Sequence, residues 1–425
     1  MRRFLLSAIV IVAAPTALQA QVIPAGARGA GMGQNYGTLA RGFSAGYWNP
    51  ANLGQRGNPV FSLLLPGGGL SASMDPLKMS DIKKWGGDTL TDAVKQQWLD
   101  QIGADGSLKL RAGANVTEGG LSIGPLALTV GTTIGAHGDL PHDAVAAVLF
   151  GNAGPSGTGD TLSFNNGALQ AFAVSHIGVS YGLALPVHIT HAANERFSVG
   201  ITAKYVMGHG LLDARNGFGQ ITPDSAAVRF TTVALYDSTS INNGTGTAFD
   251  VGAAWTSGKL SAGLTIYDLV NTFKFNNVGR AGDLTAFISA DSTSSSSQQV
   301  PLDSASATLQ QAARDLANNE KFMPSFRLAV GYRLNDRIDL AGDLLHESTD
   351  ANALASQPGT SIGVGAELRY IPFIPVRAGL QLGNGAASYS VGTGLSLGPL
   401  HVNGAVGRRT STGYNAALSI SLGAQ

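Results

Sequence analysis

Four Gly-x-Ser-x-Gly pentapeptides are the first candidates for chemistry: Gly42–Gly46, Gly120–Gly124, Gly178–Gly182 and Gly394–Gly398. A nucleophile elbow needs one such turn between a strand and a helix, with histidine and acid partners. Three of the four lie where apolar residues alternate with Gly and Ser, so their serines read as one face of a strand. Gly29-Ala30-Gly31-Met32-Gly33 does not match Gly-x-Gly-x-x-Gly, and no strand–helix unit carrying an acid about 20 residues on follows it. His188 and His191 could touch a metal, but no helix places a carboxylate beside them, and they are read as a polar turn. No catalytic residue, metal site or cofactor is expected.

A second set of chemically capable residues lies near the C-terminus: Arg327, Arg333, Arg337, Asp339, Asp343, Glu367, Arg369 and Arg377. They fall on the polar faces of successive alternating segments. On neighbouring strands they could pair across a lumen, where ion pairs mostly offset their own desolvation cost. Alternatively, some of the guanidinium forks could receive a ligand carboxylate.

The elements that carry these residues alternate with period two. Phe326, Leu328, Val330, Tyr332 and Leu334 oppose Ser325, Arg327, Ala329, Gly331 and Arg333, and Asn335-Asp336 makes a turn. Comparable segments follow at 337–344, 361–370, 376–383, 388–397, 400–409 and 414–422. Earlier ones are expected near 58–72, 106–117, 119–136, 168–187, 194–208, 225–237, 246–257 and 258–268. Segments of about ten residues alternating in this way, joined by short turns, are the mark of a transmembrane β-barrel. The polar face holds Gly and Ser rather than Lys and Glu, and Tyr332, Tyr370 and Tyr414 sit at strand ends, where an aromatic girdle would lie. The count is fourteen or fifteen, and such barrels favour even numbers.

Three insertions, about 73–105, 138–167 and 271–322, read as long extracellular loops. In the first, Asp75 and Pro76 are expected to cap and open a helical stretch, which restarts at Thr91 and stops at Gly103. The third contains the low-complexity tract Ser292 to Ser297, then a helix from Ser304 to Asn319.

Composition narrows the class. Of 425 residues, 57 are glycine and only 13% are charged. Arg2 and Arg3, an apolar stretch from Phe4 to about Ala14, and a small residue before a cut after Ala20 make a secretory signal over 1–20. Its removal lowers the basic residues from 27 to 25 against 27 acidic ones, which does not suggest nucleic-acid binding. The chain has no cysteine, so disulfides and thiolate metal sites are excluded. No later apolar run is long enough for a spanning helix. An exported apolar chain without such helices leaves an edge-free barrel, because lipid tolerates only helices and closed sheets.

The run Gly26 to Gly54, ending in Tyr47-Trp48-Asn49-Pro50-Ala51, resembles the N-terminal signature of outer-membrane barrels of the long-chain fatty-acid transporter type (FadL-like), including the related PorV-like proteins. Met323-Pro324-Ser325-Phe326-Arg327-Leu328, Asp339 to Leu344, Tyr267 to Asn271 and Pro375 to Leu380 add to the likeness. The resemblance implies that 21–56 folds into the lumen of the barrel 57–425 as a hatch. Gly29, Gly31 and Gly33 would give it tight turns, and Tyr47, Trp48, Asn49 and Pro50 would anchor it. Asn49 would bond to strand backbone ahead of the rigid turn at Pro50. It further implies a monomer among outer-membrane lipids that passes hydrophobic small molecules such as fatty acids inward and out sideways through a gap in the wall. The PorV-like branch implies a secretion-system component instead, and a structural barrel without transport is a third reading. One departure stands out: the last strand ends Ile420-Ser421-Leu422-Gly423-Ala424-Gln425, without the usual terminal aromatic residue.

Overall fold

In the computed structural model the alternating segments become a closed antiparallel barrel of fourteen strands. The structure describes residues 26–425 apart from 79–80, 82–89, 152–153, 157–160, 164–166, 191, 193, 222–225, 236–241, 276–279, 289–292, 305, 349–353, 355–358, 384–385, 411–412 and 424–425. The expected signal peptide and His191 therefore lie outside the described residues. The wall runs β1 (Phe61–Leu64 and Gly67–Asp75), β2 (Ser107–Ile123), β3 (Leu126–Pro141), β4 (Gly167–Leu185), β5 (Arg196–Ile221), β6 (Gly244–Ser257) and β7 (Leu260–Asn271). It continues through β8 (Ser325–Asn335), β9 (Ile338–Glu347), β10 (Gly359–Ile371), β11 (Ile374–Gly383), β12 (Ala386–Leu397), β13 (Leu400–Arg409) and β14 (Gly413–Gly423). β1 pairs with both β14 and β2, which closes the ring.

The face exposed to the surroundings is the apolar one. Val330 is 62% exposed, Val391 57% and Val406 58%, while Arg327, Asp343, Glu367 and Arg377 on the opposite face are buried. A water-soluble sheet would invert this pattern, whereas a barrel wall in lipid requires it. Tyr332 and Tyr370 are exposed on the apolar face near the short turns. Tyr414 stands near the other rim, with the Arg408 guanidinium 5.5 Å from its ring centre.

Several boundaries differ from the sequence reading. The break expected at Glu118 is a bulge between Thr117 and Gly119; the turn comes later, at Gly124, where φ is +56°. The segment at 225–237 is a strand, Ala226–Leu235, but no stave of the wall. It pairs with the far end of β5 and with Arg280–Ile288, which in turn pairs with Thr293–Pro301. Alternation reports a two-faced sheet, not which sheet, so this extra ribbon accounted for the fifteenth strand. The serine tract from Thr293 is accordingly a strand and not a plain loop. Asp75 does not cap a helix: it is the last residue of β1, paired with Lys109.

Among the described residues, three helices sit beyond the wall. α3 (Asp92–Ile102) has Thr91 and Gly103 at its ends and buries Trp98, Leu99 and Ile102. It packs with α4 (His142–Phe150). α5 (Ala307–Asn319) buries Ala313 and Ala317. It starts three residues after the expected Ser304, which belongs to a short 3₁₀ turn. No described helix is long and apolar enough to cross a membrane.

Candidate functional site

Glycines on the inward face of the strands leave room for residues 26–57 inside the barrel. The helices α1 (Ala27–Gly31) and α2 (Phe43–Trp48) and a 3₁₀ turn at Pro50–Gly54 form this segment. Ala27 and Ala30 of α1 meet Ala405 of β13 and Ala417 of β14. At the next bend Gly33 adopts φ +66°, a conformation that glycine takes without penalty. Here the chain lies directly on β11: a side chain at Gly379 would collide with the Met32 and Gly33 backbone. Across the lumen, a side chain at Gly200 would collide with Pro50 in the same way.

Polar contacts complete this seat. The Asn49 amide donates to the carbonyls of Ala253 (3.1 Å) and Leu264 (3.4 Å), and its Oδ1 accepts from Ala51 N at 3.0 Å. Trp48 is fully buried, with the Arg327 guanidinium 4.7 Å from its ring centre. Its carbonyl accepts from the Tyr267 and Thr265 hydroxyls, and a side chain at Gly29 would run into its ring. A side chain at Gly31 would press on the backbone of Gly392, 2.9 Å away. The Tyr47 hydroxyl shares its one hydrogen between the carbonyls of Gly119 and Val130, 3.2 and 3.1 Å away. Burial pushes that phenol well above its usual range, so it remains a donor.

Most of the charged residues pair between adjacent strands. Arg327 on β8 meets Asp343 on β9 at 2.8 Å, and Asp343 also accepts from the backbone N–H of Tyr36 and Gly37. Glu367 on β10 holds Arg377 of β11 at 2.6 Å and also contacts Arg369. Asp339 bridges Arg369 (2.6 Å) and Arg333 (3.3 Å), although the Arg333 side chain is 63% exposed. Arg337 stands apart, 5.9 Å from the Tyr370 ring centre. One partner of Glu367 was not singled out in the sequence: Arg28 of α1 donates to both carboxylate oxygens through Nε and Nη2, each at 2.7 Å. Its glycine-rich surroundings have no period that would betray which way it points.

Two further features escaped the sequence reading. Lys204 lies between Asp250 (2.7 Å) and Asp268, where a bulge in β7 gives Asp268 φ +50°. Phe172, Val174, Val206 and Ala248 from the wall gather with Phe273, Phe275, Phe322, Leu354 and α5 into an apolar cluster. Its rings stack edge-on, with Phe273 and Phe275 centred 5.0 Å apart. The sequence places these aromatics in separate strands and an insertion, and only the barrel brings them together.

The serine motifs form no triad. Ser180 bonds to Thr202 and Ser122 to Ser62. Ser396 meets His401 Nδ1 at 2.9 Å, but His401 Nε2 is engaged by the Gly423 carbonyl and not by an acid.

Among the described residues, the ladder at the closing seam of the wall is interrupted. β1 keeps its ladder with β14 from Gly68 to Ser73. Toward β2, among the described residues, no pair lies between Gly67–Thr117 and Met74–Leu110. Beside this break an apolar groove of about 830 Å³ crosses the outer wall, lined by Gly68, Leu70, Val116, Gly404, Val406 and Ala416 among others. Ala405 and Ala417 also line it, and these are the residues against which α1 packs from inside. One layer of glycine and alanine thus separates the groove from the inner segment.

A family model described as a family of unknown function, DUF5723, matches residues 50–407. The chain belongs to the DUF5723 family. Among curated proteins no sequence matches. Among solved structures the chain is similar to the Pseudomonas putida toluene transporter TodX, with TM-score 0.52, 12% identity, and 96% of this chain and 100% of that chain covered. It is also similar to a Pseudomonas aeruginosa FadL homologue, with TM-score 0.51, 12% identity and the same coverage. At this identity the likeness establishes the FadL-like barrel fold of the DUF5723 chain.

Proposed function

We propose that this protein is an outer-membrane channel for passive uptake of hydrophobic small molecules, toluene-sized hydrocarbons or long-chain fatty acids among them. The carrying observation is the coincidence at the closing seam: a break in the β1–β2 ladder, an apolar groove outside it and α1 directly behind it. Residues 26–57 act as the hatch. A ligand collects on the aromatic cluster around Phe172 and Phe273, passes the hatch and leaves sideways between β1 and β2 into the lipid. The fold shared with TodX and the FadL homologue supports this reading. A wall closed on itself needs no second subunit, so the channel works as a monomer.

The competing reading is a PorV-like secretion scaffold, for which the ribbon formed by Arg280–Ile288 and Thr293–Pro301 would offer a docking surface. The two separate in cells. Short-time uptake of radiolabelled toluene and of a long-chain fatty acid is measured with and without the protein in the outer membrane. Faster uptake of either supports the channel. Unchanged uptake of both, with loss of export of other proteins on deletion, favours the scaffold.

A further inference from the structure

The lipid-facing wall beside the seam carries a polar string where apolar side chains are expected. Glu118 Oε1 accepts from Thr132 Oγ1 at 2.6 Å; Thr132 contacts Ser175, and Ser175 Oγ lies 2.6 Å from His209 Nε2. These residues sit on four consecutive strands, β2 to β5. They share the outward face with Val116, Leu128, Ile134, Ile177 and Ile201, all at least 40% exposed. Glu118 is the extra residue of the bulge between Thr117 and Gly119, and it is exposed. Two residues before it, Val116 lines the groove at the break in the wall.

Each hydroxyl has one hydrogen to give. With Glu118 ionised, Thr132 spends its hydrogen on the carboxylate, Ser175 spends its own on Thr132, and His209 donates to Ser175. Every donor in the string therefore points toward Glu118, and a polarised chain of this kind strengthens the bond from Thr132 and holds the carboxylate in place. Among the described residues no basic side chain pairs with Glu118. Its exposed carboxylate oxygens keep acceptor capacity facing lipid, where an unsatisfied charged group is costly.

We propose that Glu118 is the specificity residue of the lateral exit. It accepts a hydrogen bond from the polar end of an uncharged, hydroxyl-bearing amphiphile and repels ionised carboxylates. The proposal rests on the channel reading above and ranks neutral ligands ahead of ionised ones. Its test compares decanol with decanoate, equal in chain length, at a pH where decanoate is ionised. Short-time uptake is measured in cells carrying the wild-type protein, Glu118→Gln or Glu118→Lys, with cells lacking the protein as baseline. Both substitutions fall on an exposed position, and heat-modifiable gel migration checks that each barrel has folded.

The wild type is expected to favour decanol by about tenfold, the effect of one hydrogen bond to a charged group. Glu118→Gln should bring the two rates close together, and Glu118→Lys should favour decanoate. Equal wild-type rates above baseline, or a preference unchanged in both variants, overturn the proposal and leave the channel standing. Baseline uptake of toluene, fatty acid, decanol and decanoate alike overturns both.

Discussion

Glu367 is the residue that ties the N-terminal segment to the wall. It is 1% exposed and faces the guanidinium groups of Arg28, Arg369 and Arg377. Removing it strands buried cations, and breaking a buried pair costs about 3–5 kcal/mol. Glu367→Ala should therefore unfold at clearly lower denaturant in lipid vesicles, whereas Lys95→Ala, at an exposed helical pair on α3, should change little. Asn49→Ala removes three hydrogen bonds at a buried position. It should expose 26–57 to protease while the barrel core stays resistant, and equal resistance in wild type and variant would count against an anchoring role. The partners of Glu367 on β10 and β11 were legible in the sequence, because alternation puts them on one face of neighbouring strands. Arg28 was not, because no periodicity in its surroundings fixes its direction.

At the scale of elements, residues 26–57 are seated by close backbone approach as well as by side chains. Met32–Gly33 lies on Gly379 of β11, and Pro50 lies on Gly200 of β5. Gly379→Leu cannot be accommodated by a rotamer change, since what it meets is main chain. It should displace the segment while leaving heat-modifiable migration intact, detected as new protease cleavage within 26–57. Uncleaved protein would refute the seat. The strands were largely readable because each has one face in lipid, which imposes a strict two-residue period. The ribbon at 226–235 obeys the same period outside the wall, which is why it passed for a stave. The bulge at Glu118 passed for a turn, since an extra residue and a chain reversal interrupt alternation alike. The break between β1 and β2 left no mark in the sequence: Gly67-Gly68-Gly69 signals looseness, not which neighbour is lost.

At the scale of the molecule, the barrel closes through β1, the strand whose ladder toward β2 is incomplete. On the proposed channel reading, a complete ring would release cargo only past residues 26–57 along the barrel axis. An interrupted one offers a path into the membrane without unseating all of 26–57. Deleting residues 26–57 should make the barrel leak small polar solutes, raising single-channel conductance well above that of the intact protein, and an unchanged conductance would mean that the segment is no barrier.

The lateral path can be closed chemically, since the chain has no cysteine of its own. The flanking register places Leu70 of β1 opposite Ala114 of β2. In a Leu70→Cys/Ala114→Cys variant, oxidation should drop toluene or fatty-acid uptake to the level of cells lacking the protein, and reduction should restore it. Uptake that stays at the wild-type rate with the cross-link formed would contradict lateral exit.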